Sequence, residues 1–221
     1  MSRVTLIVAA TANNGIGHAG KLPWRLPQEM QYFAKVTSGK DTTQDVGGEK
    51  KNAVVMGRAT WESIPHRFRP LAGRINIIVS RQAEYNLCVN LAEETRVDPR
   101  TALANRGVSS TEDGVILASS LEAALQRARA ADASRLFVIG GEKLYAAALP
   151  LAERVLLTRI VEPTFEECDV FMPDFIGSGE WTRVGHEALS GWVGFDVPRG
   201  LQSERGVQYE YEMWTRGEEV R

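Results

Sequence analysis

The 221-residue sequence predicts an α/β fold: a single domain with a mostly parallel central sheet, helices on both faces and an antiparallel C-terminal edge strand. Three observations carry this prediction. Short β-branched runs alternate with helix-like segments as far as residue 150, the pattern a parallel sheet with crossover helices produces. Val4 to Ala10 is an unbroken apolar run, as a strand covered on both faces requires. Val207 to Trp214 instead alternates apolar with polar or charged residues, which suits a sheet edge or hairpin.

The elements follow in order. After the first strand, the polar, Gly-bearing stretch Thr11 to Gly20 reads as a loop. Pro27 suits a first helical turn, so a helix is expected from there to about Val36, followed by a surface loop over Thr37 to Asn52. Ala53 to Gly57 is a second strand, and the helix Arg58 to Ile64 is stopped by Pro65. Arg74 to Ser80 supplies a third strand, and residues 82–114, polar and without sustained period, read as a surface excursion. Val115 to Ala118, a helix over Leu121 to Ala131, and Arg135 to Ile139 continue the alternation. Gly140-Gly141 then leads into a helix from Glu142 to Leu149, and Arg154 to Ile160 is one more buried strand.

Composition narrows the function. The 26 Lys and Arg nearly balance 28 Asp and Glu, so nothing global draws the chain to nucleic acid or an anionic membrane. No window of about 18 apolar residues is present, and the first apolar run reads as a strand rather than a leader. Cys88 and Cys168 lack metal-ligand spacing and are too few for a disulfide framework, which fits a reducing, cytoplasmic setting. His18, His66 and His186 have no companions suggesting a metal, and no nucleophilic triad is visible.

In doubly wound sheets ligands bind beyond the carboxyl ends of parallel strands. Here those ends carry Gly57-Arg58-Ala59-Thr60, Ser80-Arg81 and Gly140-Gly141, each offering groups that suit an anion. Any one of them alone is an ordinary turn or solvated cation; together they suit a dinucleotide. Arg58, Ser80 and Arg81 favour NADP over NAD, although the GxGxxG fingerprint is absent. On a helical wheel Glu29 falls between Phe33 and Val36, which projects a carboxylate into the core-facing stripe. It is either a salt bridge or cap, or the acid that recognises a cationic or amidine-like ligand edge. Burial raises its pKa and its first-turn position lowers it, so sequence leaves the net shift open.

At this point the chain resembles a known family. Val8-Ala9-Ala10, Gly15-Ile16-Gly17 and Leu22-Pro23-Trp24, then Glu29 with Tyr32-Phe33, look like the opening of dihydrofolate reductase. Met56 to Pro65 (MGRATWESIP), Arg69 to Arg74 with Val79-Ser80-Arg81, and Val138 to Gly141 through Tyr145 are similar to its later signatures, in family order. Leu157-Thr158-Arg159 and the terminal strand also fit.

The resemblance implies NADPH-dependent reduction of 7,8-dihydrofolate to tetrahydrofolate in one-carbon metabolism, by a monomer that antifolate inhibitors target. It implies that Glu29 holds the 2-amino and N3 edge of the pterin, oriented by Thr158, while water near Glu29 and Trp24 brings the proton to N5. Ile7 and Ile139, beside Val8, would offer carbonyls to the pterin. Met30, Phe33, Ile64 and Leu71 would line the aminobenzoyl channel, and Arg74 would pair with the α-carboxylate. For the cofactor, Ala9, Ile16 and Tyr145 would lie near the nicotinamide. Thr60, Gly140 and Gly141 would meet the phosphates, Arg58, Ser80 and Arg81 the 2'-phosphate region, and Gly57, Ala59, Ser119 and Glu142 would also belong to the cofactor site.

Three positions depart from common family patterns: Met30 replaces an aromatic, Ala59 a second basic residue, and Ser119 an arginine. The length of the 82–114 excursion and of the tail resembles larger eukaryotic, particularly fungal, members. Two other readings are a pyrimidine reductase of riboflavin synthesis and a nucleotide-binding module without catalysis. Glu29 beside Phe33, together with Arg74, argues against the first.

Overall fold

Val4–Thr11 (β1) lies at the middle of the sheet, in a computed structural model that describes residues 3–39, 50–82, 85 and 115–217. After it come β2 (Gly15–Gly17), α1 (Pro27–Ser38), β3 (Asn52–Gly57), α2 (Arg58–Ser63), β4 (Arg74–Val79) and β5 (Val115–Ala118). The chain continues through α3 (Leu121–Ala130), β6 (Leu136–Gly140), α4 (Glu142–Ala148) and β7 (Ala152–Glu162). It ends with β8 (Val170–Phe171), β9 (Trp181–Arg183), α5 (His186–Val193), β10 (Gln202–Glu204) and β11 (Val207–Arg216). Among the described residues the main sheet runs β10-β11-β7-β1-β6-β3-β4-β5, with β9 also on β11. Neighbours from β7 to β5 are parallel, whereas β11 runs antiparallel to β7 and to its own partners β9 and β10. This is the expected single α/β domain with an antiparallel edge.

The strands are apolar on both sides because each side meets a separate layer. Leu6, Val8, Val55 and Val138 join Leu125 of α3 and Leu144 of α4 in one cluster. Ile7, Val54, Met56 and Phe137 join Val36 of α1, Trp61 of α2 and Leu189 of α5 in the other. The side-chain period of two in a strand divides one apolar run between two cores. β6 enters between β1 and β3, out of chain order, and the change of direction opens a crevice at the carboxyl ends of these strands.

Several boundaries differ from those expected. Gly15–Gly17, read as loop, pairs with Val170–Phe171, a partner so distant in sequence that local periodicity carries no sign of it. Thr37 and Ser38 extend α1, which ends where Gly39 takes a φ of 69° that its missing Cβ permits. Asn52 opens β3 as a buried bracket: its amide donates to the Thr37 carbonyl at 3.1 Å and accepts the Arg135 N–H at 3.0 Å. Helix α5 was not anticipated, because Ser190 and Gly191 weaken its local signal. Buried Leu189 and the edge-on packing of Trp192 with Phe137 hold it to the sheet. Of the expected excursion at 82–114, residues 83–84 and 86–114, including Cys88, lie outside the described residues.

Candidate active site

A cleft of about 1620 Å³ opens along the carboxyl ends of β1, β3, β4 and β6. It gathers every site residue nominated from sequence except Thr158, which stands behind Glu29 and bonds to it. Residues separated by more than a hundred positions thus converge on one groove.

Glu29 sits in the first turn of α1 and is 6% exposed. The Thr158 hydroxyl donates to its Oε1 at 3.1 Å. Thr158 is held by the centre of the sheet, in register with Ala9 on one side and Tyr211 on the other. Burial pushes the Glu29 carboxyl up to about 7, the Thr158 hydrogen bond opposes this, and the nearby Glu204 charge adds to the rise. The net shift that sequence left open is therefore upward, with desolvation its largest cause. Beside it, the Tyr145 hydroxyl donates to the Ile7 carbonyl at 2.8 Å. Trp24 is buried, stands edge-on to Phe165 at 5.3 Å, and leaves its indole N–H without a partner. An unpaired buried donor on the wall of a cleft is a place for water or ligand.

Toward one mouth, Phe33, Ile64 and Leu71 line the cleft, with Met30 half exposed at the rim. Arg74 closes this end. Its Nη1 donates to the Thr37 hydroxyl at 2.8 Å and its Nε to the Ala72 carbonyl at 3.0 Å. Burial lowers its pKa to about 10, which leaves it cationic at neutral pH with further donors for an anion.

The other arm of the cleft is built from three strand ends. Gly57 caps α2 and Gly141 caps α4, and the two caps are close: a Cβ on Gly57 would lie 3.7 Å from the Gly141 nitrogen. A Cβ placed on Gly140, whose φ is 140°, would come within 2.9 Å of the Thr60 hydroxyl. The Gly140-Gly141 turn and Thr60 thus form a cradle that any side chain at 140 would fill. Arg58 donates through Nη1 to the Gln82 side-chain oxygen at 2.6 Å and its guanidinium lies 5.9 Å from the Tyr85 ring centre. The Ser80 hydroxyl accepts the Gln82 N–H, and Arg81 is exposed beside it. Ile16, Ala59, Ser119 and Glu142 complete this arm, and Ile139, Val8 and Ala9 form the floor between the two arms. Among the described residues no cluster of three or more His, Cys, Asp or Glu could hold a metal, and no helix is long and apolar enough to cross a membrane.

The family model described as dihydrofolate reductase matches residues 3–106 and 103–191. The chain belongs to the dihydrofolate reductase family. It is 40% identical over 219 residues to the dihydrofolate reductase of Pneumocystis carinii, covering 96% of each chain. It is 37% identical over 238 residues to that of Cryptococcus neoformans, covering 96% of this chain and 93% of the other. The structure of Schistosoma mansoni dihydrofolate reductase superposes with a TM-score of 0.68 at 29% identity, covering 98% of this chain and 99% of that one. The resemblance read from sequence holds, and with it the enzyme class: this reductase converts dihydrofolate to tetrahydrofolate. Two residues of the site were not anticipated. Gln82, the partner of Arg58, is separated from it by 24 positions, and Glu204, which acts on Glu29, by 175 from its target; neither spacing carries a local pattern.

Proposed function

We propose that the reaction takes its hydride from NADPH, which when bound delivers it from nicotinamide C4 to pterin C6, and its N5 proton from water held beside Glu29 and Trp24. The buried Glu29 carboxyl carries this reading. With a pKa of about 7 it can hold or release a proton at neutral pH, which an exposed glutamate cannot. Thr158 engages Oε1, and the other carboxyl oxygen is the acceptor for the 2-amino and N3 donors of the pterin. The unpaired Trp24 N–H is a second anchor for the water that brings the proton. Ile7 and Ile139 offer carbonyls to the heterocycle, Ile7 being braced by the Tyr145 hydroxyl. Met30, Phe33, Ile64 and Leu71 enclose the aminobenzoyl group, and Arg74 takes the α-carboxylate as a planar bidentate cation.

The cradle of Thr60, Gly140 and Gly141 fits a phosphate-bearing dinucleotide, because the lack of side chains on the two glycines leaves space for phosphate oxygens beside the start of α4. Gly57 and Glu142 flank it, Ala9 and Ile16 border the nicotinamide, and Arg58, Ala59, Ser80, Arg81 and Ser119 face the 2'-phosphate. Antifolates that present a diaminopyrimidine edge would compete at Glu29. We place the reductase in the cytoplasm as a monomer, a setting its two cysteines suit.

The test follows NADPH absorbance with dihydrofolate as acceptor. Glu29→Gln should lower turnover at neutral pH by about 10²-fold or more with the fold retained. Near-normal turnover of that variant overturns the assignment.

A further inference from the structure

The N-terminus of α1 has no side-chain cap of its own. Its N-cap residue, Leu26, has no side-chain acceptor, and Pro27 has no N–H. The first N–H the helix must satisfy is therefore that of Gln28, the residue before Glu29. It is satisfied from 176 positions away: the Glu204 carboxylate accepts the Gln28 N–H with both oxygens, at 3.2 and 3.0 Å. Glu204 ends β10, in register with Val207 of β11 across the C-terminal hairpin. β11 in turn packs on β7, the strand that carries Thr158. The two groups that set the position of Glu29 thus come from one part of the sheet, one gripping its side chain and the other the backbone just ahead of it.

We propose that Glu204 is a positioning residue for the reduction of dihydrofolate, fixing Glu29 by clamping the start of its helix to the C-terminal hairpin. The proposal rests on the reading of Glu29 as the acid that holds the pterin. Everything titratable that faces Glu29 points the same way. Tyr32 of α1, Tyr145 of α4, and Tyr209 and Tyr211 of β11 surround it with neutral phenols whose ionisation its charge opposes. The rings of Tyr209 and Tyr211 pack edge-on, 5.5 Å apart. Glu204 is the charged group that acts on Glu29, and it acts by repulsion, favouring the protonated acid. Geometry and charge are therefore delivered together by one side chain, and two substitutions separate them.

The experiment measures kcat and KM for dihydrofolate against pH, at saturating NADPH, in the full chain with Glu204→Gln and Glu204→Ala, alongside circular dichroism and thermal melting. The glutamine keeps an acceptor for the Gln28 N–H and removes the charge. Its KM should stay within about twofold of the parent, while the pH at which the rate falls moves down by about half a unit, since Glu29 loses its proton more easily. The alanine also removes the clamp, and its KM should rise about fivefold, the size of a lost helix cap. Rescue of KM by glutamine but not alanine is the signature of positioning. An unchanged KM in the alanine variant, or an unmoved pH profile in both, overturns the proposal even if melting temperature falls. Should Glu29→Gln itself retain turnover, the assignment of Glu29 fails instead, and that outcome is read on a different variant.

Discussion

Replacing Glu29 with glutamine should separate stability from chemistry. Burial lifts the Glu29 carboxyl from 4.5 to about 7 in the folded chain. Between these values the folded state keeps a proton that the unfolded chain has released, so the folded state binds more protons and stability falls as pH rises. This contribution is fully present below 4.5, declines across the interval and is lost once pH passes about 7. At ~1.4 kcal/mol per unit, ionising the buried acid costs about 3 kcal/mol above that range. Glutamine has nearly the shape of the protonated acid, retains an oxygen for the Thr158 hydroxyl and cannot ionise. Urea unfolding without ligands should therefore give the two proteins similar stability near pH ~4.5 and make the variant more stable by about 3 kcal/mol near pH ~8.5. The same variant should be the one that loses turnover, as expected where a functional group is held at the expense of stability. A stability difference that stays flat across this pH range would refute the argument, because it would mean that the carboxyl titrates alike in the folded and unfolded chain.

Arg74→Leu should weaken dihydrofolate binding about tenfold or more and leave NADPH affinity nearly unchanged, measured by fluorescence titration; an equal loss of both counts against its placement at the folate end. Replacing Arg58 and Arg81 together with alanine should reduce the preference for NADPH over NADH about tenfold or more in kcat/KM, and an unchanged ratio excludes them from recognition of the 2'-phosphate. Gly140→Ala drives a methyl group to within 2.9 Å of the Thr60 hydroxyl at a backbone φ of 140°. It should cost about 1–3 kcal/mol of stability and abolish most of the thermal stabilisation that NADPH confers on the parent, and a full NADPH-dependent shift in Tm would show that the cradle is not used.

Periodicity was informative wherever a segment's environment is uniform along its length. Val4 to Ala10 reads as a buried strand because cores lie on both sides of it, the structure adding only Thr11, and Pro27 marks the start of α1 because proline's fixed φ and missing N–H suit that position. Glu29 was legible as an anomaly, a carboxylate in an apolar stripe. Elements whose stability comes from distant partners were not legible: Gly15–Gly17 exists as a strand through Val170–Phe171, and α5 through Leu189 and Trp192 against the sheet. The pairing of Arg58 with Gln82 belongs to the same group, since a loop's path is not written in its local pattern.

By itself the sequence determined the α/β class, the family and the residue types available at each strand end, because local propensity, burial pattern and ordered motifs act over short stretches of chain. Only the tertiary structure decided the state of Glu29. Desolvation depends on the sum of everything packed around a group, and here that sum includes Thr158 from the sheet and Glu204 from the last hairpin. These influences come from more than a hundred residues away, and three-dimensional closeness alone sets their strength.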